Sequence, residues 1–421
     1  MPAATAVRTV EDKISALKLN LVGGETAPVQ PSEEPKVVDP FNYVGEVLGS
    51  GPGADYPYTE YLPHNPKRTE SEPPLTPTEI TDKGFSADRT FSRLRAFVEA
   101  RGGRIRDIGV AVGTVIEGDV KMEELGDGER DDLAALVGYR GVVFFRKQSS
   151  FTIEEQLALG RHFGPLHTHP TYAVPRKSGL DEVVVIYQDQ NSKPDPYSYS
   201  KADLFHSDTT YELQPPGVTM LKLITTPEVG GDTLWSSGYA LYSSLSKPYQ
   251  KYLESLSALH TGHNQASART DVTTIPRREP VDAIHPVVRV HPVTGYKSIF
   301  VNPGFVTRLI GVPKAESENT LKFLRDGFAQ NADAIVRWRW EKDDVAVWDN
   351  RVVNHSAVFD AYPALRHGLR VTPRAEKPLS VEEYEAKTGK KAKDWLEERH
   401  KSLGIKDVVD KGESKVKGYR D

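Results

Sequence analysis

From about residue 105 onward the chain is cut into short β-rich runs bounded by glycine and proline turns: 107–116, 141–146, 182–188, 218–225, 285–290, 297–301, 344–348 and 368–372. Runs of that length punctuated that often read as strands. Helical patterns interrupt them early at 131–138 and 152–162, the second opened by Thr152 with Glu155 three residues on, the spacing of a capping box. A further helical stretch is read at 238–256. Many short strands with a few helices predict a mainly β fold, a sandwich or barrel with helices packed outside. No internal repeat is visible.

The flanks differ in character. Residues 1–80 are rich in proline, which breaks any long helix, so this segment is either irregular or an extended arm laid over the body. Tyr43, Tyr56, Tyr58 and Tyr61 favour the arm, because aromatic rings need a surface to pack on. A short helical pattern (Phe91, Leu94, Phe97, Val98) then ends at Gly102-Gly103. After Arg374 the chain is dominated by charge, with 12 Lys+Arg and 11 Asp+Glu in 375–421. That pattern reads as one or two surface helices with Trp395 and Leu396 on the docking side.

Composition narrows the chemistry. The 54 Lys+Arg and 59 Asp+Glu leave a net charge of −5, which argues against a general nucleic-acid binder. No run approaches the roughly 18 consecutive apolar residues of a membrane span, and the first 20 residues lack an apolar leader, so a cytoplasmic protein with no membrane role is expected. The chain contains no cysteine, which removes thiolate catalysis, disulfides and Cys-type metal sites together. Any metal must be held by histidine nitrogen and carboxylate oxygen.

One arrangement fits that requirement. His206 and Asp208 are two residues apart, and in a strand such residues project from one face. Alone, the tripeptide is a weak signal, and a surface turn with Asp208 capping a backbone N–H is its simpler reading. His355 lies just past a predicted strand that ends in Asp349-Asn350-Arg351. Two histidines and one carboxylate form a facial triad suited to Fe(II), and zinc can use the same ligands. Downstream, Arg366 and Arg370 share a face of a predicted strand, about 13 Å apart. They either hold two anions in one cavity or sit in surface ion pairs.

At this point the residues resemble a family. FGPLHTHPTY (163–172), FHSDTTYELQPPG (205–217), GGDTLWSSGYALYSSLS (230–246), HPVVRVHPVTGYKSIFVNPGF (285–305), RWRW (337–340) and WDNRVVNH (348–355) together resemble the taurine dioxygenase-type Fe(II)/2-oxoglutarate-dependent dioxygenases, and within them the fungal sulfonate dioxygenases. The resemblance implies a double-stranded β-helix (jelly roll) and, often, a homo-oligomer. It implies Fe(II) on His206, Asp208 and His355, with 2-oxoglutarate as cosubstrate held through its distal carboxylate by Thr233 and Arg366. Arg370 would take the sulfonate or sulfate of the substrate, with His169, Tyr172 and Phe305 lining that pocket and O₂ as the second substrate. Hydroxylation next to the sulfonate would release sulfite and an aldehyde, with sulfur scavenging as the purpose.

On this reading 1–104 is an N-terminal arm, 105–376 the dioxygenase domain and 377–421 a charged helical tail. The chain departs from the bacterial taurine enzymes at Ala202, where they carry Asn, and across 189–203 and 262–282. These are pocket and lid regions, so the resemblance reaches iron and cosubstrate more firmly than taurine. An alkyl sulfate ester dioxygenase, a carboxylate-substrate relative and, in a different class, a non-catalytic jelly-roll anion-binding protein remain the alternatives.

Overall fold

The computed structural model describes residues 52–405 apart from 54, 195, 196, 198 and 268–274. Tyr43 and the tail beyond 405 lie outside the described residues. Its centre is a seven-stranded sheet in the order Arg104–Asp107, Thr114–Glu117, Val142–Phe145, Val345–Asp349, Val218–Thr225, Arg366–Val371, Val183–Gln188. All neighbours are antiparallel except Thr114–Glu117 with Val142–Phe145. A three-stranded sheet, Ile335–Trp338, Thr233–Ser237, Val353–Ala357, faces it. The two sheets form a jelly-roll sandwich.

Strand parity explains which side chains go where, since successive residues face opposite sides of a sheet. Val142 and Phe144, Ala346 and Trp348, and Leu221 and Leu223 point between the sheets, where they meet Trp235 and Trp338. Val143 and Phe145, Val345 and Val347, and Val218 and Met220 point outward and are covered by the helices Asp127–Arg140 and Ile153–Phe163. Both faces of the central strands are therefore buried, and their sequences are continuously apolar rather than alternating. Thr152 and Glu155 do form a capping box on the second of these helices.

Several elements differ from the sequence reading. The run 107–116 is not one strand: it holds the end of Arg104–Asp107, a loop over 108–113 and the start of its antiparallel partner Thr114–Glu117, and the loop closes on Gly113, whose φ of 92° favours glycine. The stretch 238–256 is two helices, Gly238–Ser244 and Lys247–Glu254, because Pro248 fits only the first turn of the second. A 17-residue helix, Lys314–Gln330, covers a third small sheet of Ser257–Thr261, Asp282–Pro286 and Val306–Leu309.

The described part of the arm is draped over the body. Tyr56, Tyr58 and Tyr61 pack on the outer core, and Pro63–His64 pairs with Val174–Pro175. Near the other end, Val381–Thr388 and Trp395–Ser402 are helical, and Trp395 packs against the core. Among the described residues no helix is long and apolar enough to cross a membrane.

Candidate metal centre and anion cavity

A cavity opens between the two sheets, with about 1030 Å³ of empty space, part of it continuous with solvent. His206, His355, Thr233, Arg366, Arg370 and Tyr172 all line it.

The two histidines are joined through their backbones. His206 N–H donates to the His355 carbonyl (2.9 Å) and His355 N–H donates to the His206 carbonyl (2.7 Å). This reciprocal pair sets the imidazoles side by side, ring centres 4.3 Å apart. His355 sits on the strand Val353–Ala357, one turn beyond the strand that was expected to precede it. His206 makes only a single bridge and Asp208 begins a turn, so their convergence does not come from a common strand face. It comes from Asn350, whose Oδ1 accepts the Asp208 N–H (3.1 Å) while its amide nitrogen donates to Thr219 Oγ1 (2.7 Å).

One ligand atom from each of His206, Asp208 and His355 lies within 4.8 Å of the others, the one such group among the described residues. His206 Nδ1 lies 2.8 Å from the Leu204 carbonyl, which can only accept, so Nδ1 carries the proton and Nε2 keeps its lone pair. Asp208 Oδ2 is buried without a hydrogen-bond partner. An orphaned buried carboxylate oxygen beside two imidazole nitrogens is the donor set of a hard or borderline divalent cation. Burial pushes His355 down to about 3, helped by His206, and burial also lowers His206. Burial alone would raise Asp208, yet the carboxyl is held below its ordinary value, with the Arg370 guanidinium the largest opposing charge. Neutral imidazoles and an ionised carboxylate are the ligand forms a cation needs.

The arginines share the inner face of Arg366–Val371, while Leu369 and Val371 enter the outer core. Arg370 Nη1 donates to Asp208 Oδ1 (2.8 Å), and Arg370 Nε has no partner. Arg366 Nε donates to the Gly231 carbonyl (3.0 Å) and Nη2 to Thr233 Oγ1 (3.3 Å), which also accepts from Trp340 Nε1 (3.0 Å). Gly230 and Gly231 both have φ above 70° or at it (82° and 70°), which is the use of the Gly-Gly pair before Asp232-Thr233. No carboxylate among the described residues pairs with Arg366. Asp232, whose charge it feels, is bound to Arg337 instead (2.6 Å). Burial pushes the guanidinium down to about 10, still charged at neutral pH. A buried cation with a hydroxyl beside it and no counter-ion fits a carboxylate ligand.

The remaining sequence-derived residues are placed unevenly. Tyr172 faces Arg370 at 5.7 Å. His169 stands behind it, ring centres 4.2 Å apart, with Nδ1 accepting from Tyr172 N (3.0 Å) and Thr171 N (3.2 Å). Phe305 does not line the cavity; it packs edge-on against Tyr211. Sequence reading passed over Asn350, and also Gln188, which lines the cavity opposite Arg366 across the strand pair and has an unpartnered amide nitrogen. His167, two residues before His169, is held by Glu212 (3.1 Å), which Arg278 also engages (3.2 Å).

Residues 104–372 match the model described as Taurine catabolism dioxygenase TauD, TfdA family. The chain belongs to this TauD/TfdA family. A Saccharomyces cerevisiae relative named alpha-ketoglutarate-dependent sulfonate dioxygenase is 36% identical over 337 residues, covering 76% of this chain and 79% of that protein. A Pseudomonas putida relative named alpha-ketoglutarate-dependent sulfate ester dioxygenase is 32% identical over 267 residues, covering 61% and 84%. Among solved structures, a taurine dioxygenase from Burkholderia xenovorans superposes with a TM-score of 0.56 at 29% identity, covering 67% of this chain and 92% of that one. The TauD/TfdA fold is thus shared across the sandwich, and the arm before residue 104 lies outside the family match.

Proposed function

We propose that this TauD/TfdA-family chain is an Fe(II)- and 2-oxoglutarate-dependent dioxygenase that acts on an alkyl sulfonate. His206, Asp208 and His355 hold the iron. Thr233 and Arg366 hold the distal carboxylate of 2-oxoglutarate. Arg370 holds the sulfonate, with Tyr172 and His169 beside it. The catalytic body spans 105–376, between the N-terminal arm and the charged tail. The observation that carries this reading is one cavity lined by both histidines of the two-histidine, one-carboxylate cluster and by two buried guanidiniums, one of them without a counter-ion among the described residues.

Fe(II) held there supplies activation of O₂, with 2-oxoglutarate as the reductant that becomes succinate and CO₂. One oxygen atom enters succinate and the other enters the C–H bond next to sulfur. The resulting hydroxysulfonate breaks its C–S bond to give an aldehyde and sulfite. The protein's share is positional. Arg366 and Thr233 bind the cosubstrate at the end remote from the reacting atoms, so that binding energy fixes its orientation. Arg370 fixes the anionic head and thereby the distance of the adjacent carbon from the metal. The surrounding Trp235, Trp348 and Leu221 keep water from the oxidising centre.

A second reading has its own support. Among the described residues lining the cavity none is a carboxylate that could pair with the ammonium of taurine, whereas Tyr172, Ile186, Leu221 and Phe359 offer an apolar wall. An alkyl sulfate ester would seat its anion on the same Arg370 and release sulfate. Turnover of taurine, isethionate, hexanesulfonate and hexyl sulfate with Fe(II) separates the readings. Succinate is expected to form in step with sulfite, and a His206→Ala protein should form neither. Sulfate in place of sulfite supports the second reading, and anion binding with no succinate from any substrate rejects both.

A further inference from the structure

The strand that carries Arg366 and Arg370 on its inner face carries His367 on its outer face, fully buried. Both ring nitrogens of His367 are taken by the N-terminal arm. Nε2 lies 3.0 Å from the Tyr61 carbonyl, which can only accept, so Nε2 bears the hydrogen. Nδ1 therefore holds a lone pair, and the Tyr56 hydroxyl, 2.8 Å away, donates to it. The Tyr56 oxygen is then left to accept from the Thr225 hydroxyl at 2.7 Å. The direction of every hydrogen bond in the chain Thr225–Tyr56–His367–Tyr61 follows from that one carbonyl. The Tyr56 and Tyr187 rings enclose the imidazole at 5.9 and 5.3 Å. The arm itself is anchored: Arg176 N–H donates to Leu62 O (3.0 Å) and Lys177 N–H to Glu60 O (2.8 Å).

The position of this chain matters. The register between Arg366–Val371 and Val218–Thr225 shifts at this point: His367 faces Thr225, but Gly368 faces Leu223. Such an irregularity changes local twist and re-aims the side chains next to it. Tyr56 bonds to residues on both strands at the shift, and the residue immediately before His367 is Arg366.

We propose that residues 56–61 form a strap that sets the aim of Arg366, making Tyr56 and His367 positioning residues for the distal carboxylate of 2-oxoglutarate. The proposal rests on the reading above that Arg366 binds that carboxylate. It brings into the cosubstrate site a segment that precedes the family-matched residues 104–372.

The test is the dissociation constant of 2-oxoglutarate, by anaerobic calorimetry on the Fe(II)-loaded full chain, with KM and kcat measured alongside. Tyr56→Phe keeps the ring and removes the hydroxyl. It should weaken 2-oxoglutarate by about 5- to 20-fold and raise its KM in parallel, with kcat and the sulfonate KM within twofold. Thr225→Val, at the outer end of the chain of bonds, should act in the same direction by a smaller factor, and it carries the test if Tyr56→Phe does not fold. The double variant should be no worse than Tyr56→Phe, since both remove one chain. Tyr58→Phe, whose ring faces Lys342, is the control and should bind as wild type. Wild-type affinity in Tyr56→Phe, even with a lowered melting temperature, overturns the strap. Fully additive losses in the double variant overturn it as well. Wild-type affinity in Arg366→Gln removes the role of Arg366 itself and, with it, the proposal.

Discussion

Arg370 serves two neighbours. Its guanidinium neutralises a buried carboxylate, and the same group is proposed to hold the substrate anion. Removing one partner of a buried pair leaves an uncompensated charge, which costs about 3–5 kcal/mol. Arg370→Leu should therefore lower the denaturation midpoint of the metal-free protein and also raise the KM for the sulfonate at least tenfold. Arg370→Lys should recover much of the stability but little of the KM, because an ammonium lacks the planar fork. Denaturant titration of the metal-free chain and substrate kinetics of the loaded one check the two halves separately. At this scale the sequence was informative wherever residue type was restrictive. With no cysteine present, His206, Asp208 and His355 stood out, and the alternation in 366–371 put both arginines on one face. Asn350 and Gln188 were not legible, because an Asn after a strand reads as a turn and a Gln in VVVIYQ reads as a strand end. Only the fold shows that Asn350 reaches Asp208 and that Gln188 lies across from Arg366.

Between the two arginines the strand has room only for glycine. A Cβ at Gly368 would press into Leu223 and Leu221 and come within 3.1 Å of the Lys222 carbonyl on the neighbouring strand. The leucine tips can move, but the carbonyl is part of the sheet. Gly368→Ala should lower stability by about 1–3 kcal/mol, as overpacking does. It should also weaken 2-oxoglutarate and sulfonate together, since both arginines ride on that strand. Comparison of melting temperature with both KM values checks this, and a stability loss with unchanged KM values would count against the coupling. Elements were legible where their apolar period was clean, as in Val142–Phe145 and Ile153–Phe163. Lys314–Gln330 was hidden because its buried face is Ser317, Thr320, Leu324 and Phe328, at helical spacing but half of it hydroxyl. Val353–Ala357 was hidden because Asn354, His355 and Ser356 make it a polar strand that is nonetheless buried.

Across the whole molecule, buried imidazoles set the pH response. Burial pushes His285 and His367 down to about 4, against about 6.5 for an unperturbed histidine. Between those values the folded chain binds fewer protons than the unfolded chain. Stability from these groups is therefore complete above about pH 6.5 and is lost as pH falls toward 4. The loss is about 2 kcal/mol for each histidine at pH 5. Urea midpoints should fall between pH 7.5 and pH 5, and His285→Gln should make that fall shallower. An unchanged slope in the variant would place the pH sensitivity elsewhere. The sandwich as a whole was legible from the count and spacing of strands. The close association of the arm with the Arg366 strand was not, because it depends on hydrogen bonds between residues more than 300 positions apart.

The bond between Arg370 and Asp208 joins two equilibria. A cation drawing on the charge of Asp208 loosens its claim on the guanidinium, and a guanidinium engaged by an incoming anion leaves more of the carboxylate for the cation. Thermodynamic linkage makes these two effects equal: whatever factor the metal contributes to anion affinity, the anion returns to metal affinity. A site wired in this way is most complete when both occupants are present, so loaded cofactor and captured substrate hold one another in place.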